Sequence, residues 1–251
     1  MILDDVKNKK EYRGLSDAFV SRVLVLHSQK YDVGKEKERK KLVKETRATL
    51  RHLYGAFRLR GYDRKEKFLQ KMNHWGDKEV AEKILLLHLS SRERLNTYPT
   101  LYKKLHAKFT FKTVLDLGCG LNVFSLPWMG YVSYYGIDVN KDDVEFCNSY
   151  LEKFNLGGGV RWGDVMGFEK FVHTDVTFLF KMLEALETLE KGSTKKLLDR
   201  LTSKYIVASF ATRTMSGGKS LSTRRLKWFK DLVPIEDEIR LGDEVYYVIK
   251  R

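Results

Sequence analysis

The sequence predicts an α/β protein with a mostly parallel sheet, an antiparallel strand at one edge, and an all-helical domain before the sheet. The prolines are Pro99, Pro127 and Pro234, so residues 1–98 contain no proline that would break a helix. From residue 111 onward, short β-branched and apolar segments alternate with amphipathic ones, which is typical of parallel strands with helices on both faces. We therefore predict a helical domain over residues 1–108 and a sheet domain over residues 109–251.

In the helical part, apolar residues recur every three or four positions, which places them on one face of a helix. Ser16 or Asp17 is expected to cap the first such helix, because short oxygen side chains accept hydrogen bonds from the free N–H groups of a helix start. The predicted helices cover residues 16–30, 35–58, a segment after Gly76, and about 98–108.

In the sheet part, runs of β-branched and aromatic residues end at glycine or aspartate, as strands do before a turn. The predicted strands are residues 111–117, 131–139, 160–165, 175–180, 204–210 and 244–250. Helices are predicted between them over residues 142–154 and 195–201. We expect the last pair of strands to be antiparallel and to form the edge of the sheet.

The charge of the chain is concentrated in its helical part. The 251 residues carry a formal net charge of +14. Residues 1–110 hold 27 basic and 14 acidic side chains, whereas residues 111–251 hold 20 and 19. A hydrophobic fraction of 43% and an aromatic fraction of 12% exclude a disordered chain. The distribution of charge predicts that the basic helical domain binds an anionic partner and that the nearly neutral sheet domain has a different function.

Cysteine usage and the N-terminal residues predict a cytoplasmic protein. Cys119 and Cys147 have no metal-ligand spacing with the histidines, so neither a metal site nor a disulfide framework is expected. The first residues lack the apolar core of a signal peptide, and no apolar run reaches the ~20 residues of a spanning helix. We expect no membrane partner.

The segment TVLDLGCGLNVF predicts a small-molecule site after the first strand. Gly118 and Gly120 form a turn in which backbone approaches a ligand without an intervening Cβ. The third glycine of a dinucleotide motif is absent, since Val123 occupies its position. S-adenosyl-L-methionine fits better, because Asp138 ends the second strand, where a carboxylate accepts ribose hydroxyls. This pattern indicates a class I, Rossmann-like methyltransferase sheet, and the alternative is an ordinary tight turn with Asp138 as a helix cap.

Asp164 follows the third strand and has two interpretations. Its carboxylate either accepts a hydrogen bond from the adenine amino group or caps a helix or turn.

The end of the fourth strand disfavours two chemistries of nucleobase methylation. It contains FLFKMLEAL instead of the Asn/Asp-Pro-Pro-aromatic motif of exocyclic-amine methyltransferases. Carbon-5 pyrimidine methylation needs a cysteine nucleophile near that strand, whereas Cys119 and Cys147 lie elsewhere. Guanine nitrogen-7 needs neither a base nor a nucleophile, so positioning and electrostatics would suffice. Lys181 is placed to donate to guanine O6, unless it is a strand-end lysine that reaches solvent.

Six segments of the chain carry a resemblance to a known family. They are HLSSRERL (88–95), DLGCGLNVFSLPWM (116–129), FLFKML (178–183), SFATRTMSGG (209–218), KWF (227–229) and LGDEVYYVIK (241–250). Together these segments resemble the aminoglycoside-resistance 16S rRNA guanine-N7 methyltransferases, of which the chain looks like a distant relative. The composition, with few Gln and Cys and many Lys and Glu, is also typical of proteins from hot environments.

The resemblance implies cofactor-binding roles for particular residues. Arg94 would bind the carboxylate of S-adenosyl-L-methionine, a contact suited to a guanidinium group, with His88 and Ser90 beside it. The glycine turn would line the methionine part, Asp138 the ribose, and Asp164 with Val165 the adenine. The implied cofactor residues are His88, Ser90, Arg94, Gly118, Gly120, Asp138, Asp164 and Val165.

The resemblance also implies an RNA substrate, 16S rRNA or the 30S subunit. Lys181 would contact the target nucleotide, and the residues of the following loop that would contact RNA are Arg213, Ser216 and Lys219. Ala211 and the run KSLSTRR depart from the family pattern on this substrate side. The alternatives are a noncatalytic RNA-binding or ribosome-assembly factor with the same fold, and a methyltransferase for another RNA position, a small molecule or a protein.

Overall fold

The computed structural model describes residues 2–54, 57–214 and 220–251. Helices α1 to α8 precede the first strand and are Ile2–Lys7, Lys10–Arg13, Asp17–Ser28, Glu36–Leu53, Lys65–Lys71, Lys78–Leu85, Leu89–Arg94 and Tyr98–Lys108. Helices α9 to α13 are Leu126–Met129, Lys141–Lys153, Leu183–Leu189, Ser193–Arg200 and Lys227–Leu232. Strands β1 to β7 are Thr113–Leu117, Ser133–Asp138, Gly158–Trp162, Val176–Phe180, Tyr205–Ala211, Asp237–Leu241 and Glu244–Lys250.

The strands form one sheet in the order β3-β2-β1-β4-β5-β7-β6. Strands β1 to β5 are parallel, whereas β7 is antiparallel to β5 and β6 is antiparallel to β7. The carboxyl ends of the five parallel strands therefore meet at one edge of the sheet, where doubly wound folds bind ligands. The predicted fold class, a mostly parallel sheet with an antiparallel edge after an all-helical region, is confirmed.

Strand β6 is the one strand in the described residues that the sequence pattern did not predict. Its sequence DEIRL is mostly charged, and of its five residues only Ile239 is buried. The strand lies at the outer edge of the sheet beside β7, where charged side chains discourage pairing with another chain. Because this edge strand buries little apolar surface, its sequence lacks the alternation of apolar and polar residues by which strands are recognised.

One helix start agrees with the prediction, and one helix end differs from it. Ser16 caps α3, since its hydroxyl accepts from the backbone N–H of Phe19 at 3.2 Å. Helix α4 ends at Leu53, before the predicted end at residue 58. The helices α1, α2, α5, α11 and α13 were not predicted, because each has seven residues or fewer and shows little periodicity.

Apolar packing divides the helices between two cores. Helices α5, α6 and α8 pack on one face of the sheet, in a cluster that contains Leu69, Ile84, Tyr102 and Phe178. Helices α1, α3 and α4 instead share a separate cluster, which Val139 and Leu189 of the sheet domain contact. The domain boundary predicted at residue 108 remains a prediction. The helices up to α4 pack in the separate cluster, and packing on the face of the sheet begins with α5.

The segment after α4 is fastened to α10 by a buried carboxylate. Asp143 accepts hydrogen bonds from the hydroxyls of Tyr54 (2.5 Å) and Tyr62 (2.7 Å). The same carboxylate pairs with Arg58 at 3.0 Å and Lys65 at 2.9 Å. Burial alone would raise the pKa of Asp143, but these two cations and the two hydroxyls lower it to about 2. Asp143 therefore stays ionised and holds this segment against the sheet domain.

We expect Asp143→Asn to destabilise the fold by about 3 kcal/mol, because it leaves two partly buried cations without their counter-ion. Since the pKa of Asp143 is depressed to about 2, its stabilisation is present above about pH 4 and is lost as the pH falls toward 2. Urea unfolding at pH 7 measures the loss. Asp142→Asn is the matched control, because Asp142 lies in the same helical turn and is exposed. Equal stability of the two variants would contradict the assignment.

Candidate cofactor and target site

A cavity of about 690 Å³ opens at the carboxyl edge of the parallel strands. This volume is in the range of small-molecule sites. The lining residues that the sequence predicted are His88, Ser90, Gly118, Gly120, Asp138, Asp164, Val165, Lys181 and Arg213. The N-terminal part of the chain supplies another wall, with Phe19 of α3 and with Tyr54 and Phe57, which follow α4. The predicted residues alone, from His88 to Arg213, span 125 positions of the sequence.

The glycine turn forms the floor of this cavity. Gly118 and Gly120 have φ angles of 69° and 49°, which favour glycine over other residues. The N–H of Gly118 donates to the carbonyl of Ile137 on the neighbouring strand at 2.8 Å. A Cβ on Gly120 would lie 3.2 Å from the His88 ring. The turn therefore keeps backbone exposed to the cavity where side chains would fill it.

Asp138 ends β2 beside this turn. Its Oδ2 accepts from the N–H of Gly120 at 2.8 Å, and its Oδ1 accepts from the N–H of Asn140 at 3.0 Å. Burial, together with the charge of Asp143, raises the pKa of Asp138 to about 6. A carboxylate offers about four acceptor positions, so each oxygen keeps one for a hydroxyl in the cavity.

Asp164 has a partner that the sequence did not predict. The Nη1 of Arg22 lies 2.9 and 3.0 Å from its two carboxylate oxygens. Asp164 also caps the short 3-10 helix Val165–Gly167, accepting from the N–H of Met166 at 3.0 Å. Both interpretations offered by the sequence are thus compatible with the structure, since the capping residue also lines the cavity.

Arg94 lies behind the main cavity and faces a small recess that His88, Ser90 and Gly118 also line. It is 3% exposed. Its Nε donates to both oxygens of Glu244 at 3.1 Å, and its Nη2 donates to Ser90 Oγ at 2.6 Å. The role of Arg94 toward a cofactor carboxylate therefore remains a prediction, and Glu244 of β7 is a buried partner that sequence reasoning missed.

His88 is a neutral imidazole at pH 7, because burial lowers its pKa to about 4. Its ring stacks on Phe57 with centroids 5.6 Å apart. His88 can therefore offer one N–H donor and one acceptor nitrogen to the cavity.

Lys181 follows β4 and points inward. Its Nζ pairs with Glu93 at 2.5 Å and with Glu244 at 3.4 Å, and its side chain is 12% exposed. Its φ of 56° is uncommon for a residue other than glycine, and its N–H donates to the carbonyl of Ser209 at 3.1 Å. The alternative of a lysine that reaches solvent is wrong, because two carboxylates hold the ammonium group in the cavity wall.

The predicted RNA-contacting loop is described in part. Arg213 lines the cavity and pairs with Asp243 at 3.1 Å. Ser216 and Lys219 lie outside the described residues. The RNA-binding role of these three residues remains a prediction.

The two cysteines are packing residues in this structure. Burial raises the pKa values of the Cys119 and Cys147 thiols, and Cys147 Sγ donates to the carbonyl of Gly120 at 3.3 Å. Within residues 2–54, 57–214 and 220–251, no group of His, Cys, Asp and Glu has the geometry of a metal site. In the same residues, no helix combines the length and the apolar character needed to cross a bilayer.

Comparisons with known proteins show what this chain is similar to. A family model described as "Ribosomal RNA methyltransferase (FmrO)" matches residues 9–226. A 16S rRNA (guanine(1405)-N(7))-methyltransferase of Serratia marcescens is 29% identical over 99% of this chain and 97% of its own length. One of Proteus mirabilis is 32% identical over 84% and 85%, respectively. The solved structure of the 16S rRNA methyltransferase RmtF with S-adenosyl-L-homocysteine is 26% identical, with a TM-score of 0.86, and covers 100% of this chain and 96% of that one.

Proposed function

The chain belongs to the ribosomal RNA methyltransferase (FmrO) family, and from this membership we propose that it transfers a methyl group from S-adenosyl-L-methionine to nitrogen-7 of a guanine in 16S rRNA. The family resemblance predicted from segments such as HLSSRERL is confirmed. One observation supports the proposed chemistry. A single cavity is lined by the glycine turn, by Asp138, which we propose for the ribose, and by Lys181, which we propose for the target base.

The residues of the cavity fit this cofactor. The carboxylate of Asp138 keeps two acceptor positions, which match the two ribose hydroxyls. Gly118 and Gly120 line the cavity, so backbone without a Cβ faces the methionine part. When bound, S-adenosyl-L-methionine supplies an electrophilic methyl group.

The protein's part in the transfer is positioning and electrostatics. Guanine nitrogen-7 has no proton to remove, so no general base is needed. Lys181 Nζ, once released by Glu93, donates to O6, the acceptor next to nitrogen-7. Glu93 and Glu244 balance the charges of Lys181 and Arg94, so this group places no net positive charge beside a purine that becomes positive as the methyl group arrives.

The helical domain provides a surface suited to rRNA phosphates. A groove of about 700 Å³ lies between the first two helices and α4. Its basic residues are Lys9, Arg39, Lys40, Lys44, Arg47 and Arg51. Phosphate contacts of this kind position a protein on RNA and make its affinity depend on salt. We propose that the substrate is 16S rRNA or the 30S subunit and that the protein acts in the cytoplasm.

Mapping the modified base tests the proposal. Purified protein is incubated with labelled S-adenosyl-L-methionine and either 30S subunits or protein-free 16S rRNA, and the product is cleaved at 7-methylguanosine. The proposal expects one labelled guanine that is cleaved. Label on an exocyclic amine or a ribose would reject nitrogen-7. Absence of label together with absence of cofactor binding in calorimetry would favour the noncatalytic RNA-binding alternative.

We expect Lys44→Ala to weaken binding to the rRNA substrate and to reduce the slope of log Kd against log salt by about 1. Cofactor affinity should not change, because Lys44 lies in the groove and not in the cavity. A titration of 30S binding against salt measures this. Lys112→Ala is the control, since Lys112 is exposed and precedes β1 at the opposite edge of the sheet. An unchanged slope would remove Lys44 from the interface. Deleting the helices is unsuitable, because Phe19 and Tyr54 line the cofactor cavity.

A further inference from the structure

An ion pair joins the helical domain to the cofactor cavity. Arg22 lies in α3, and its Nη1 contacts both carboxylate oxygens of Asp164 at 2.9 and 3.0 Å. The Asp164 side chain is 2% exposed and that of Arg22 is 20% exposed. A hydrogen-bonded cation beside a carboxylate buried to this degree offsets the cost of burying its charge. Arg22 is the cation within 4 Å of Asp164 among the residues that the structure describes.

The contact leaves Asp164 with limited acceptor capacity. Arg22 Nη1 occupies one position on each oxygen, and the N–H of Met166 occupies a second position on Oδ1. Of about four acceptor positions on a carboxylate, one therefore remains, and it lies on Oδ2. One acceptor matches one N–H of an adenine amino group. It does not match the carbonyl oxygen that hypoxanthine carries at the same position of the purine.

Helix α3 is fixed at the cavity independently of this ion pair. The N–H of Ser16 donates to the carbonyl of Val139, and the N–H of Lys141 donates to the carbonyl of Gly14, both at 2.8 Å. These bonds place the start of α3 directly after Asp138, the last residue of β2. Phe19 in the first turn of α3 lines the cavity. The backbone thus presents Arg22 to Asp164 from a defined position.

We propose that Arg22 is a positioning residue for adenine recognition: it orients Asp164 so that the remaining acceptor faces the adenine amino group of the cofactor. The inference rests on the proposed function, because it takes S-adenosyl-L-methionine as the occupant of the cavity. It makes the helical domain a part of the cofactor site in addition to its role toward RNA. Selectivity for adenine over hypoxanthine then depends on a residue 142 positions before the carboxylate.

Calorimetry with two ligands tests the proposal without any RNA. S-adenosylhomocysteine carries the amino group, and S-inosylhomocysteine carries a carbonyl oxygen in its place. The native protein should prefer S-adenosylhomocysteine by about 10-fold or more, since a mismatched ligand leaves buried polar groups unpaired. Arg22→Ala should weaken S-adenosylhomocysteine by about 10-fold and bring the ratio of the two affinities close to 1. The double variant Arg22→Ala/Asp164→Asn should lose no further selectivity.

Controls separate positioning from general damage to the fold. Lys35→Ala removes an exposed ion pair with Asp32 in the same helical domain, and should keep both affinities. Arg22→Gln keeps a donor and much of the side chain, and its ligand ratio is measured if Arg22→Ala does not fold. If Arg22 only stabilised the fold, both ligands would weaken equally and the ratio would stay at its native value, which would overturn the proposal. Failure of the native protein to bind S-adenosylhomocysteine would instead overturn the proposed function.

Discussion

Asp138→Ala should lower the affinity for S-adenosylhomocysteine by about 100-fold or more. Each hydrogen bond to a charged group contributes about 1.5–3 kcal/mol, and Asp138 has two acceptor positions available for ribose hydroxyls. The fold should persist, because burial disfavours the ionised carboxylate and raises its pKa to about 6, so its removal relieves a cost that offsets part of the loss of its two hydrogen bonds. Calorimetry measures the affinity, and urea unfolding checks the fold. Unchanged affinity would remove Asp138 from the site.

The pH dependence of binding identifies the carboxylate responsible. The ribose hydroxyls donate to the ionised carboxylate of Asp138, whose pKa is about 6. Cofactor affinity should therefore be highest above this pH and fall as the pH drops below it. The loss approaches about 10-fold per pH unit. Asp138→Asn should abolish this dependence. Asp116→Asn is the matched control, because burial also raises the pKa of Asp116 to about 6, but its Oδ2 is hydrogen-bonded to Asn122 and Tyr134. If the pH dependence of cofactor affinity disappeared in Asp116→Asn and persisted in Asp138→Asn, its assignment to Asp138 would be contradicted.

The cofactor end of the cavity could be predicted because its residues follow local patterns. Gly118 follows β1, Asp138 is the last residue of β2, and Asp164 lies two residues after β3. Parallel strands bring their carboxyl ends to one edge of the sheet. The end of a strand is visible in sequence as a change from apolar to glycine or aspartate. Placing the residues together then required only the order of strands and helices.

The partners of these residues could not be predicted in the same way. Arg22 meets Asp164 across 142 positions, and Glu244 meets Arg94 across 150. Such pairs depend on how α3 and β7 dock on the sheet, and no periodicity records that docking. Glu93 is an intermediate case. It lies next to Arg94 within HLSSRERL, but its partner Lys181 is 88 positions away.

The charges around Lys181 limit what this residue can do. It is held by Glu93 and Glu244, and Glu244 is shared with Arg94. Two carboxylates and two cations therefore form one compact group at the wall of the cavity. When Lys181 is removed, the ion pair between Arg94 and Glu244 remains on the cofactor side of the cavity. The target side loses the ammonium group that would donate to the base.

Lys181→Ala should slow methyl transfer to the 30S substrate by about 100-fold or more and leave S-adenosylhomocysteine affinity within about 2-fold of the native value. The loss of a donor that acts on the reacting base lowers the rate by about this amount, whereas Arg94 and Asp138 are untouched. Single-turnover transfer of labelled methyl, at saturating cofactor, measures the rate. Lys204→Ala is the control, because Lys204 is exposed and precedes β5 at the opposite edge of the sheet.

The division between rate and affinity decides whether Lys181 acts on the target base or only supports the cavity. A supporting role predicts that Lys181→Ala lowers cofactor affinity and the rate together, because Glu93 and Glu244 would repel each other and disturb Arg94. A target role predicts a lower rate with native cofactor affinity, and partial recovery in Lys181→Arg, which restores a donor at the same backbone position. A native rate on 30S subunits in Lys181→Ala would reject the target role. Alanine and arginine both carry a Cβ, so the native φ of 56° disfavours both replacements as it disfavours lysine, and the comparison tests the side-chain donor.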